Sequence, residues 1–185
     1  MIKLIIKKLF CLLLFYFSIE VAHSKFMNLK IDLLSRAVGG TNIELDFLSN
    51  KFSVGPAYYG LDLSLPDWRY EAELYGGQIS FHAESADSDG WLATGKYLNG
   101  KFEITYTKTN LVYIWFEPNV SVLFGYLGYQ WMWDNFNIQL KFGQSKYDIL
   151  TTLNLKASDG STLSKNIGSY SGTNSSFEFR LGLAF

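Results

Sequence analysis

The sequence has almost no cysteine, little proline and no long hydrophobic run, and each shortage excludes a class of structure. Among its 185 residues there are 1 cysteine and 3 prolines. Cys11 lies in an N-terminal apolar run, so disulfides and thiolate metal sites are excluded from the rest of the chain. That run, residues 9–17, is far shorter than the roughly 20 apolar residues of a membrane-spanning helix. We therefore expect no transmembrane helix.

The N-terminus has the features of a secretory signal peptide. Three lysines precede the apolar run, and a short polar stretch with small residues ends at Ser24. The residues before Cys11 are larger than those before an acylated lipoprotein cysteine, so we expect no lipid anchor. These features predict a signal peptide over residues 1–24 and one mature domain over residues 25–185.

Neither charge nor motifs indicate a nucleic-acid partner or a cofactor. The chain has 16 basic and 17 acidic residues, and after Lys8 they are scattered singly, a pattern that argues against nucleic-acid binding. It contains no glycine-rich phosphate loop, no HExxH motif and no cysteine–histidine cluster. We expect neither a metal nor another cofactor. The aromatic share of 17% and the 16 glycines favour a β-rich chain with many turns.

Apolar residues recur at every second position, which is the signature of strands. The alternation is clearest over residues 136–143 and 177–185. The sequence Asn99-Gly100 is ambiguous, because a hairpin turn there gives nine strands and a bulge gives eight. Bacterial single-chain barrels have even strand numbers, so we choose the bulge. The prediction is an all-β protein, an eight-stranded antiparallel up-and-down transmembrane β-barrel after a cleaved signal peptide.

The predicted connections differ in length at the two ends of this barrel. One end has short turns at residues 48–51, 84–90 and 133–135. The other end has residues 38–41, 61–69, a tip at Lys108 and a polar loop over residues 144–175. Short periplasmic turns opposite longer outer loops are typical of bacterial outer-membrane barrels. We therefore expect localisation in the bacterial outer membrane, with both chain ends in the periplasm.

The polar face of the strands carries charges of both signs that could pair across a narrow lumen. Alternation alone does not separate a membrane barrel from a soluble barrel of the lipocalin type, because the two differ only in which face is outside. An eight-stranded barrel is just wide enough to be filled by side chains. The expected lumen-facing charges are Lys30, Asp32, Arg36, Glu44, Asp46, Lys141, Glu178 and Arg180.

Aromatic residues and the last strand support the membrane alternative. Aromatics near the predicted 133–135 turn indicate an interfacial girdle; these are Tyr129, Trp131, Trp133, Phe136 and Phe185. The terminal strand resembles the segment by which outer-membrane barrels reach their insertion machinery. The expected partners are therefore outer-membrane lipids and that machinery, which would bind through Phe177, Phe179, Leu181, Leu183 and Phe185.

Several segments together resemble a known family. They are residues 31–34, 42–45, 52–55 and 90–95, and above all the Gly-Tyr-Gln-Trp segment at residues 128–131 with its Asp-Asn turn. The mature chain resembles small eight-stranded outer-membrane barrels of unknown function, broadly of the OmpA/OmpX type. The resemblance implies a barrel fold and supplies no catalytic residues. Residues 99–118 depart from it as an extended hairpin.

One alternative function is enzymatic. Ser80, His82 and Glu84 are spaced by two, so they could share one strand face as a hydrolytic triad. Outer-membrane lipid A deacylases use such groups, but here the Ser-x-His order is reversed, and the neighbouring apolar residues take the lipid side. We expect no catalysis and a structural or surface-interaction role. The alternatives are a lipid A or phospholipid hydrolase, a narrow pore and a soluble periplasmic ligand-binding barrel.

Overall fold

The computed structural model describes residues 25–107, 112–116, 118–157 and 162–185. The predicted signal peptide, residues 1–24, and the Lys108 tip lie outside these ranges. The described residues form nine strands and one short helix, α1 (Leu33–Ala37). The strands are β1 (Met27–Asp32), β2 (Gly40–Ser49), β3 (Phe52–Ser64), β4 (Trp68–His82), β5 (Gly90–Thr107), β6 (Val112–Phe116), β7 (Asn119–Trp133), β8 (Phe136–Ala157) and β9 (Thr162–Ala184).

The strands close into an antiparallel barrel with eight positions. Strand β1 pairs with both β2 and β9, and the further neighbours follow chain order around the wall. Strands β6 and β7 share one position, because both pair with β5 and with β8 in the same register. The predicted all-β, eight-stranded antiparallel barrel is therefore confirmed within the described residues.

The Asn99-Gly100 sequence lies inside β5 and is neither a turn nor a bulge. Both residues stay in continuous register with β4 and with β7. A Cβ atom on Gly100 would collide with the carbonyl oxygen of Glu73 on β4. The predicted bulge is wrong because this glycine permits a close approach of two strands and inserts no extra residue.

The pairing register determines the tilt of the strands. A row of paired residues that starts at Trp131 passes through all other strands of the wall and returns to β7 at Ser121, ten residues away. With a rise of about 3.3 Å per residue and about 4.8 Å between strands, this offset tilts the strands by about 40°. Each residue then advances about 2.5 Å along the barrel axis.

Two predicted loops are strands in the structure. Residues 61–69 belong to β3 and β4, except for the short connection between Ser64 and Trp68. Residues 144–175 continue as a ladder of β8 with β9, with one register shift at Thr151/Thr152 and with residues 158–161 outside the described ranges. The prediction of a loop at residues 144–175 relied on a high content of serine, threonine, asparagine, glycine and lysine. Aromatic residues stabilise the ladder instead, since the rings of Tyr147 and Tyr170 lie 6.0 Å apart.

The connection between β1 and β2 contains helix α1, where a turn at residues 38–41 was predicted. The side chain of Asp32 accepts hydrogen bonds from the backbone N–H groups of Leu34 (3.0 Å) and Ser35 (3.5 Å). Asp32 is thus the N-cap that ends the strand and starts the helix. Gly39, with φ 83°, then returns the chain to β2. No helix in the described ranges is long and apolar enough to span a membrane.

The opposite end of the barrel has short connections, one of which covers the lumen. Residues 83–89, between β4 and β5, turn inward, and Ala86 is 1% exposed. The side-chain amide of Gln130 donates to the carbonyl oxygens of Ala86 and Ser88, both at 3.0 Å. The backbone N–H of Ala86 donates to the carbonyl of Asn50 at 2.6 Å. This segment therefore closes one mouth of the barrel.

Candidate functional site

The lumen contains a cluster of buried charged side chains. Of the eight charges that the sequence placed there, seven are at most 4% exposed: Lys30, Asp32, Glu44, Asp46, Lys141, Glu178 and Arg180. The structure adds Lys96 of β5, which is 2% exposed and which sequence reasoning missed. Alternation with the outward residues Gly95 and Tyr97 was the signal that could have found it.

Glu44 is the centre of this cluster. Its carboxylate lies within ion-pair distance of all four buried bases. The separations are 3.4 Å from Oε1 to Lys96 Nζ, 3.7 Å from Oε2 to Lys30 Nζ and 3.9 Å from Oε2 to Lys141 Nζ, and Arg180 is in direct contact. One carboxylate thus holds bases that project from four strands of the wall.

Glu178 is a second carboxylate, and it is shared among three of the same bases. It contacts Lys96 and lies 3.2 Å from Lys141 Nζ and 2.9 Å from Arg180 Nε. Lys30 is bound on its other side by Asp46. Because burial is costly for an unpaired charge, this mutual pairing is what permits four cations to share a closed lumen.

Polar side chains extend the network towards the closed mouth. Gln78 Nε2 donates to Asp46 Oδ1 at 2.6 Å, and Lys30 Nζ donates to Gln139 Oε1 at 3.4 Å. Gln139 Nε2 donates in turn to Gln130 Oε1 at 2.6 Å. Gln130 is the residue whose amide binds the Ala86 segment. On the side of the charged cluster that faces away from the closed mouth, the buried apolar residues Ala57, Leu74 and Leu98 form a small cluster. Side chains therefore fill the lumen along its length.

Arg36 differs from its predicted position in the lumen. It lies in helix α1, where it is exposed, and its Nη1 donates to Thr41 Oγ1 at 3.1 Å. The prediction is wrong because it continued the strand alternation past Asp32. The N-cap formed by Asp32 ends that alternation, and the helix carries Arg36 to the rim.

The structure does not assemble Ser80, His82 and Glu84 into a triad among the described residues. Ser80 and His82 both face the lumen, but Ser80 Oγ hydrogen-bonds Thr94 Oγ1 at 2.8 Å and His82 Nε2 bonds Ser53 Oγ at 3.3 Å. Glu84 is exposed and lies beyond the end of β4. Each of the two buried residues thus has another partner.

The outer wall of the barrel is a belt of exposed apolar side chains. Trp91 is 66% exposed, Leu127 69% and Phe142 64%. One row of directly paired outward residues crosses six strands and consists of Phe52, Phe81, Ala93, Leu127, Phe142 and Phe177. Exposed apolar residues around buried charges are the reverse of the distribution in water-soluble proteins.

The five predicted interfacial aromatics gather at the short-turn end. The Trp133 and Phe136 rings are stacked 6.2 Å apart across the Asp134-Asn135 turn, and the Tyr129 and Trp131 rings are 4.9 Å apart. The carbonyl oxygen of Phe185 accepts from the N–H groups of residues 26 and 27 at 2.7 and 3.2 Å. Trp131, Trp133 and Phe136 are exposed, whereas Tyr129 and Phe185 are half-buried.

The polarity of both faces reverses part of the way along the strands. On β5, the outward residues change from apolar to polar between Tyr97 and Asn99, while the inward residues change from Lys96 to Leu98. On β4, outward Tyr75 is followed by Glu73 and Glu71 in the same direction along the barrel. Along β5 alone this change is equally consistent with a bulge, and the continuous pairing of β5 with β4 and with β7 shows that the two faces exchange polarity.

The described residues contain no group of three or more His, Cys, Asp or Glu side chains that could hold a metal ion. Comparisons of the chain with protein-family models, with curated proteins and with solved structures returned no significant match.

Proposed function

We propose that this protein is an exported β-barrel that spans a bacterial outer membrane, with a filled lumen and a structural or surface-interaction role. The observation that supports the proposal best is the charged lumen inside an exposed apolar belt. Export requires the signal peptide predicted over residues 1–24, which is part of the proposal. Membrane lipids are then the first partners of the protein.

The exposed belt favours a membrane over water. A soluble protein rarely exposes a contiguous apolar patch of more than a few hundred Å², and this belt includes Trp91, Leu127 and Phe142. In a soluble ligand-binding barrel the apolar faces line the interior. Here Glu44 and Arg180 occupy the interior. The distribution therefore supports a lipid-covered outer wall over the periplasmic alternative.

The height of the belt also fits a membrane. On β7 the outward residues from Leu123 to Trp133 are leucine, glycine or aromatic, and the next outward residue, Ser121, is polar. The ten residue steps from Leu123 to Trp133, at about 2.5 Å each, span about 25 Å, the height of the apolar band of outer-membrane barrels. The polarity reversal beyond Tyr75 and Tyr97 is expected where the wall leaves the bilayer.

The part of the sheet beyond the belt supports a surface role. Residues 146–157 of β8 and residues 162–173 of β9 continue past the belt and project by about 30 Å if they keep their tilt. The packed lumen argues against a pore. Assignment to the OmpA/OmpX type and insertion through Phe177, Phe179, Leu181, Leu183 and Phe185 are further parts of the proposal.

Cysteine labelling tests the membrane position. In a Cys11→Ser background, Leu127→Cys and Lys101→Cys both place a thiol on the outer face of the wall. We expect a water-soluble maleimide to label position 101 in intact cells and to leave position 127 unlabelled until the membrane is dissolved. The protein should also fractionate with the outer membrane and show heat-modifiable gel migration. Equal labelling at both positions, or a soluble periplasmic protein, would overturn the proposal.

A further inference from the structure

The apolar belt is interrupted by a groove on the outer face of β5, β7 and β8. Gly95 and Gly125 are directly paired, and both face outward. Large side chains surround them, among them Trp91, Leu123 and Phe142, and the groove has a volume of about 1070 Å³. A second groove of about 400 Å³ adjoins it and shares Trp91, Leu127 and Phe142. The two glycines thus form the floor of a groove, and large apolar side chains form its sides.

One end of this groove is polar. Its lining includes Gln144, Lys146 and Thr173, and all three are exposed. Lys146 pairs in register with both Leu123 and Thr173, so its side chain shares their outward face. This end lies where the apolar belt stops, and Lys146 enters none of the ion pairs of the described residues.

We propose that this groove is a binding site for one anionic, phosphate-bearing membrane lipid, with an acyl chain over Gly95 and Gly125 and the phosphate at Lys146. The inference rests on the proposed membrane position. Asp148, two residues beyond Lys146 on the same face, repels an anion. The phosphate therefore sits on the belt side of Lys146, where Gln144 and Thr173 can donate hydrogen bonds.

Charge favours this occupant over a second copy of the chain. Apolar burial does not drive association within a bilayer, because lipid tails solvate apolar side chains equally well. The shape of the groove and its polar end must then determine which molecule binds there. A second copy would have to bring a carboxylate to Lys146 from the wall beyond its own belt, where Glu71 already pairs with Arg69 and Glu73 accepts a hydrogen bond from Tyr75. A lipid phosphate is available at this depth in the membrane.

The two halves of the site can be changed separately. A Cβ on Gly125 would meet no atom within 4 Å, so Gly125→Leu fills the groove without disturbing the wall. Val54→Leu enlarges the belt outside the groove and is the matched control. Lys146→Gln removes the charge, and Lys165→Gln removes the same charge from an exposed position further along the projecting sheet.

Native mass spectrometry of the detergent-purified protein, titrated with phosphatidylglycerol and phosphatidylcholine of identical chains, tests the proposal. We expect one saturable adduct that favours phosphatidylglycerol about fivefold, which is the effect of one lysine at a membrane surface. Lys146→Gln should remove that preference, and Gly125→Leu should remove the adduct. Lys165→Gln and Val54→Leu should bind like the native chain.

Three results would overturn the proposal. These are equal affinity of the native chain for both lipids, a preference that survives Lys146→Gln, and a dimer that Gly125→Leu dissociates, since a dimer assigns the groove to a second copy. Heat-modifiable gel migration of every variant is measured alongside. A native chain that never forms a heat-modifiable barrel contradicts the membrane position itself, which separates that failure from failure of the lipid site.

Discussion

Replacement of Glu44 by glutamine should strongly destabilise the barrel. Glutamine has nearly the same shape as glutamate, so the substitution removes the charge without opening a cavity. Glu44 pairs with Lys30, Lys96, Lys141 and Arg180. When residue 44 is neutral, the remaining ion-pair partners of these four bases are Glu178 and Asp46. The lumen then holds an uncompensated positive charge.

The magnitude follows from the geometry. Each pair at 3.4–3.9 Å contributes about 4 kcal/mol at an effective dielectric constant of 20. Desolvation of the carboxylate and repulsion among the bases offset much of this attraction. Removal of one partner of a buried pair destabilises proteins by about 3–5 kcal/mol. We expect Glu44→Gln to lower the free energy of unfolding by a similar amount.

Urea unfolding in lipid vesicles, followed by tryptophan fluorescence, measures this loss. The matched control is Glu73→Gln, which removes an exposed carboxylate from the outer face and should change the free energy of unfolding by less than about 0.5 kcal/mol. Addition of Lys141→Met to Glu44→Gln should restore about 1–3 kcal/mol, because one excess cation is removed. If Glu44→Gln is as stable as Glu73→Gln, charge pairing does not stabilise the lumen.

Three further substitutions probe other parts of the structure. Asp32→Ala removes the N-cap of α1 and should cost about 1–2 kcal/mol in the same unfolding assay, whereas Asp32→Asn, which keeps a capping side chain, should cost less. Gly100→Val should abolish heat-modifiable migration because its side chain meets the β4 backbone, and Gly125→Ala should not; equal folding of both would contradict the close approach at Gly100. His82→Ala should leave the lipid profile of the producing cells unchanged by mass spectrometry, and an altered profile would revive the hydrolase alternative.

Strand alternation predicted much of the lumen. Over residues 136–143 and 177–185 the polar side chains face the lumen and the apolar side chains face outward, as the alternation predicted, because successive side chains of a strand point to opposite faces. The same logic failed at Arg36, where a local cap replaced the strand. Composition was misleading at residues 144–175, because polar segments form ladders when a neighbouring strand supplies partners.

The amino-acid sequence by itself determined the fold class and most of the charges of the lumen. These depend on a period of two, which is a property of the backbone. Only the tertiary structure decided that β6 and β7 share one of eight wall positions, that Glu44 gathers four bases and that Gly95 and Gly125 lie side by side in a groove. These depend on the register between strands, and side-chain alternation within one strand carries no information about how far its neighbour is shifted.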